Sequence, residues 1–151
     1  MVIESGTGEP TDNDVRAALE RVIASAALRD STRLTAFLCF VVEATLRGER
    51  HRIKEYTVAV EALGKGENFD PQTDPIVRIT AGRLRRALER YYAADGATDS
   101  VVIDIPRGHY VPTFRYAQID TLHATRRRWF TEFLRACQSW LATMIRMGNY
   151  R

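Results

Sequence analysis

Between Asp74 and Tyr92 the chain reads DPIVRITAGRLRRALERYY, and five of these nineteen residues are arginines, at positions 78, 83, 85, 86 and 90. A guanidinium is planar and permanently charged. Its fixed fork of N–H donors matches two acceptors at once, as offered by a phosphate, a carboxylate or the O6/N7 edge of guanine. At helical spacing Ile76, Val77, Thr80, Leu84, Ala87, Leu88 and Tyr91 share one side, while Arg78, Gly82, Arg85, Arg86 and Glu89 share the other. Arg83 and Arg90 flank the boundary. Taken alone, such a face is either a solvated back or a surface that grips an anion. Gly82, at its middle, lowers helix propensity but allows a close backbone approach; the alternative is a side chain merely missing from a wet face.

Other chemistry-bearing residues do not assemble. His51, His109 and His123 are scattered, and none has a cysteine, serine or carboxylate at a spacing that builds a catalytic site. Asp70 and Asp74 straddle Pro71 at i, i+4, which could pair two carboxylates, but a loop cap and a helix cap account for them. The GKG at positions 64 to 66 lacks the flanking spacing of a phosphate-binding loop. Cys39 and Cys137 each sit within an apolar helical pattern, the ordinary setting of a buried thiol. The expectation is a protein that is not an enzyme, with no catalytic residue, no metal and no cofactor.

The elements that position the arginines follow from periodicity. A helix capped by Asp12 or Asn13 carries Val15, Ala18, Leu19, Val22 and Ile23 at helical spacing and is expected to end near Arg29 and Asp30. Ser31 or Thr32 caps a second helix with Leu34, Phe37, Leu38, Val41, Val42 and Leu46 on a broad apolar face, ended by Gly48. A shorter helix takes Ile53, Tyr56, Val60 and Leu63 and closes at Gly64. The polar loop KGENFDPQT follows, with Phe69 as the residue that folds back to anchor it. Asp74 as a capping carboxylate and Pro75 at the first helical position start the basic helix, which runs to about Ala94. After Gly96 the period becomes two: VVIDI (101–105) and YVPTFRY (110–116) read as strands, with PRGH forming the turn and Gly108 in the left-handed conformation. Pro112 cannot donate to a ladder, which makes this an edge hairpin.

With 151 residues, 45% apolar and 27% charged, the chain has room for one globular domain with a real core plus an appended element. We divide it into a loose tail (1–12), a domain (13–116) and a C-terminal amphipathic helix (117–151). Net charge is only +3, but arginines cluster between Arg78 and Arg90 and again at 126–128, and distribution counts for more than the sum. No signal peptide and no membrane-spanning apolar run is evident, so a cytoplasmic location is expected.

The order helix, helix, short helix, loop, basic helix, hairpin is that of a winged helix-turn-helix: a mainly α fold with a small β-hairpin, here with an extra N-terminal helix and a C-terminal amphipathic helix. In that geometry the basic helix (about 74–94) enters a major groove and the hairpin (about 101–114) reaches adjacent backbone or minor groove. The stretches LTAFLCFVVEATLRG, IKEYTVAVEALG, FDPQTDPIVRITAGRLRRALERYY and VVIDIPRGHYVPTF, in that order, resemble the winged-helix module found at the N-terminus of many bacterial proteins ahead of tetratricopeptide or cyclase-like regions. RITAGRLRRAL followed by RGHYVPTF is similar, more distantly, to the DNA-binding domain of response regulators of the OmpR/PhoB kind and of CadC-like activators. The resemblance spans about Asp14 to Arg115 and implies a bacterial, sequence-specific regulator of transcription that binds double-stranded DNA, with the 64–73 loop as a surface for RNA polymerase. Where response-regulator modules open with a small antiparallel sheet, this chain has a helix. The expected DNA contacts are Arg78, Arg85 and Arg86 in the groove at the bare position of Gly82, Arg83 and Arg90 on phosphates, and Arg107 and His109 at the hairpin tip. Lys54 or Arg52 would hold the opposite phosphate strand.

From Arg126 onward Trp129, Phe130, Phe133, Leu134, Cys137, Trp140, Leu141, Met144 and Ile145 share one helical face. Three readings stand open for it: packing back on the domain, pairing with a second copy as a homodimer, or lying on a membrane surface with the tryptophans at the interface and Arg126 to Arg128 on anionic headgroups. The alternative to DNA binding is a protein-interaction or dimerisation module that keeps the winged fold as a scaffold and works through this helix.

Overall fold

The computed structural model describes residues 8–117, which are mainly helical and end in a two-stranded antiparallel hairpin. The first seven residues of the expected tail and residues 118–151 of the expected C-terminal helix, with Trp129, Phe130, Phe133, Leu134, Cys137, Trp140, Leu141 and Met144, lie outside the described residues. Four helices come first: α1 (Asp12–Ala24), α2 (Thr32–Leu46), the short α3 (Glu55–Thr57, wound on as a π-turn over Val58–Ala62) and α4 (Ile76–Ala93). They are followed by β1 (Val101–Asp104) and β2 (Thr113–Tyr116). Among the described residues no helix is long and apolar enough to cross a membrane.

α1 is capped by Thr11, whose hydroxyl accepts from the Asp14 amide while the Asp14 carboxylate reaches back to the Thr11 amide. It stops at Ser25, several residues before the expected Arg29. Ser25 takes an extended backbone and its hydroxyl donates to the Val22 carbonyl at 2.6 Å, and the turn that follows drives Leu28 into the core. Burying that leucine is worth about 1.5–3 kcal/mol, more than another turn of solvent-facing helix offers. α2 is the central helix, with Leu34, Phe37, Leu38, Val41, Val42 and Ala44 buried between α1, α3 and α4. Its one buried hydroxyl, Thr45, is satisfied within the helix by the Val41 carbonyl at 2.7 Å. Gly48 and Gly64 take positive φ, as the closures after α2 and α3 require.

The hairpin pairs Val101 with Tyr116 and Asp104 with Thr113. Val101 and Ile103 face inward and are buried, and the outward amide of Ile103 donates to the hydroxyl of Tyr92 on α4 at 2.8 Å, so the free edge of β1 is closed by a helix. The strands are shorter than expected, 101–104 and 113–116 in place of 101–105 and 110–116. Ile105 and His109 turn their carbonyls toward α4, and Pro112 has no N–H for a ladder. Gly108 is left-handed, with φ +91°. α1 packs along β1 and is tied at both ends: Tyr116 donates to Asp14 at 3.0 Å, and Arg21 reaches Asp99 at 3.1 Å.

Candidate functional site

α4 presents the basic face. Asp74 starts the helix by accepting from the Ile76 amide at 3.0 Å, and its second oxygen holds Lys65 at 2.8 Å, which keeps its carboxyl below the usual aspartate range. Val77, Thr80, Ala81, Leu84, Ala87, Leu88 and Tyr91 are buried, and Ile76 is half-buried. The buried Thr80 hydroxyl donates to the Ile76 carbonyl at 2.7 Å, so no polar atom on this inner face lacks a partner.

The five arginines divide into two groups. Arg78 leans onto α3, with Nε 3.4 Å from Oε1 of Glu55, and donates from Nη2 to the Pro71 carbonyl at 3.1 Å. The Glu55 oxygen is shielded from solvent and has no hydrogen bond, so the arginine charge beside it supplies its compensation. Arg85 points the other way. Its Nε donates to the carbonyl of Ile105 at 2.7 Å, and Nη2 donates to those of Pro106 at 3.1 Å and His109 at 2.9 Å. One guanidinium therefore carries the whole hairpin turn, and Tyr110 braces it from below with its ring edge-on to Phe37 of α2 at 6.0 Å between centroids. Arg83, Arg86 and Arg90 are exposed, and among the described residues they have neither an ion pair nor a hydrogen bond. These three cations are available to a ligand at no internal cost.

Around this face lie further basic residues. Arg107 and His109 are exposed on the hairpin turn that Arg85 holds against α4. Lys54, just before α3, is exposed, whereas Arg52 is held by Glu61 at 2.9 Å and Glu49 at 3.1 Å. In the largely exposed 64–73 loop Phe69 folds back as its sequence suggested: it is half-buried 6.5 Å from the Tyr56 ring, and the Tyr56 hydroxyl donates to the Glu67 carbonyl at 2.9 Å. Asp70 and Asp74 both cap backbone amides with their side chains, Asp70 accepting from the Gln72 amide at 2.9 Å, and Pro75 stands at the N-cap position of α4, not at the first helical position expected for it.

Two features were not read from the sequence. Ile79 stands on the outer face at 46% exposure, one of two large hydrophobics so placed among the described residues. A helical wheel would have shown it beside Arg83 and Arg86, had the apolar residues outside the core stripe been counted. The internal engagement of Arg78 and Arg85 carries no local signal, since their partners lie 20 or more residues away or belong to other elements.

Comparison with protein-family models, with curated proteins and with solved structures gave no match.

Proposed function

We propose that residues 13–116 form a winged helix-turn-helix that binds double-stranded DNA and regulates transcription, with α4 as the recognition helix and the hairpin as the wing. The observation that carries this reading is the division of the arginines. Arg78 fixes α4 to α3, Arg85 fixes it to the hairpin turn, and the helix back between them leaves Arg83, Arg86 and Arg90 exposed without partners among the described residues. A helix braced on both flanks is a rigid rod that a major groove of about 12 Å admits, and rigid donors lose little freedom on binding. In this arrangement Arg86 forks onto a guanine edge, while Arg83, Arg90, Lys54 and, from the wing, Arg107 neutralise phosphates and His109 offers a hydrogen bond to one. Arg78 and Arg85 contribute by holding the helix and the wing in register. The helical spacing of Trp129, Phe133 and Trp140 in the sequence suits pairing with a second copy, which would set two modules on two half-sites.

The test is binding of mixed-sequence duplex DNA across a salt series. Several phosphate contacts predict a log–log slope of several units, about 0.9 for each phosphate neutralised. Failure to bind any duplex at low salt would refute the proposal.

A further inference from the structure

We infer that Ile79 and Gly82 form an apolar notch in the basic face of α4 that receives the C5-methyl group of a thymine; the inference rests on the DNA-binding reading above and specifies what that site reads. Ile79 is 46% exposed, and a single exposed aliphatic side chain by itself means little. Its surroundings give it meaning. Gly82 is one helical turn further on, and a Cβ placed there would meet no atom within 4 Å, so the space beside Ile79 is open. Arg83 and Arg86, both exposed, follow at four and seven residues from Ile79 on the same outer face. The outer face thus presents one exposed aliphatic side chain beside a bare helix position, on the same side as unpaired cations.

The occupant must offer negative charge at the rim and a small apolar group at the centre. A second copy of the same face would set arginine against arginine. RNA lacks the methyl group on its uracils, and its deep, narrow major groove does not admit a helix. The major groove of DNA supplies phosphates along its edges and the thymine methyl on its floor, where apolar side chains read it. The bare Gly82 position leaves room beside Ile79 for the methyl group.

The experiment uses the full chain. A duplex enriched by the protein from a random-sequence pool is synthesised twice, once with thymine and once with deoxyuridine throughout, which removes the methyl groups and keeps every base-pairing hydrogen bond. The wild type is expected to bind the deoxyuridine duplex about 4-fold more weakly for each methyl buried, and Ile79→Ala, whose folding is checked by circular dichroism, to bind the two duplexes alike. The wild-type comparison needs no variant. Equal wild-type binding to both duplexes with a steep salt dependence would overturn the notch and leave DNA binding intact, as would an undiminished thymine preference in Ile79→Ala. No binding to either duplex would remove the DNA reading itself. Preference for polyglutamate over both duplexes, lost in Ile79→Ala, would assign the notch to an acidic polypeptide and overturn the inference.

Discussion

The guanidinium of Arg85 donates to the carbonyl oxygen of His109 at 2.9 Å across 24 residues of sequence, and through the same fork to Ile105 and Pro106, so α4 and the hairpin turn move as one body. Arg85→Ala leaves these carbonyls to water and is expected to cost about 2 kcal/mol, the range for hydrogen bonds to a charged donor. Arg85→Lys restores only part, because an ammonium cannot reproduce the fork. Urea denaturation gives the cost, and hydrogen exchange should show faster opening of the 101–116 amides. An Arg85→Ala protein as stable as wild type would mean that the fork does not hold the turn.

Gly82 and Gly96 should respond in opposite directions to the same substitution. A methyl group at Gly82 meets nothing and replaces the worst helix former but proline, so Gly82→Ala should gain about 0.5–1 kcal/mol. At Gly96 a Cβ would overlap the Tyr91 ring, whose hydroxyl is held by Asp99 at 2.6 Å and cannot swing away freely. Gly96→Ala should lose about 1–3 kcal/mol. Thermal melts of the two variants decide the matter.

Acid stability depends on Asp14 and Asp74. The Thr11 hydroxyl, followed by Tyr116, lowers the Asp14 carboxyl, and Lys65, followed by the Ile76 amide, lowers that of Asp74. A folded pKa below the unfolded 3.8 means that the unfolded chain takes up protons first as pH falls. The stabilisation is therefore complete above that value and is lost as pH drops through the folded pKa. Asp74→Asn should lower Tm at neutral pH and flatten the fall of Tm below pH 3.8. An unchanged acid limb in both Asp14→Asn and Asp74→Asn would show that these contacts do not form.

At the alkaline end Tyr92 is the reporter. Burial, with the Asp99 charge adding to it, pushes its hydroxyl up from the ordinary 10.0 to about 12, although the amide of Ile103 donates to it. Here the folded pKa exceeds the unfolded one, so stability is fully present below pH 10 and is lost as pH rises toward 12. Tyr92→Phe should weaken that alkaline loss, and ultraviolet titration of tyrosinate should show one late-titrating group fewer.

Much of this fold was legible because its signals are local. The stripe from Val77 to Tyr91 follows helical spacing, Asp74 and Gly108 suit their positions as cap and left-handed turn, and Phe69 was recognisable as the one aromatic in a polar loop. The end of α1 was not legible, because Ser25 stops the helix only in exchange for the burial of Leu28, a tertiary gain. At the candidate site the periodicity placed all five arginines on or beside the outer face, but a wheel has no knowledge of neighbours. It could not distinguish Arg85, which faces hairpin carbonyls, from Arg86 beside it, which is exposed. For the same reason the wheel gave no sign that the Glu55 carboxylate stands beside Arg78.

The central claim, that the outer face of α4 grips duplex DNA, is tested most directly by the salt dependence of binding in paired variants. Arg83→Ala/Arg90→Ala removes two exposed cations from α4, and Arg29→Ala/Arg33→Ala removes two exposed cations away from it, one in the α1–α2 connection and one in the first turn of α2. The predicted result is a log–log slope shallower by about 1.8 in the first variant, at 0.9 for each phosphate contact, and unchanged from wild type in the second. Equal slopes in both variants, or an α4 variant that binds as the wild type does, would contradict the account.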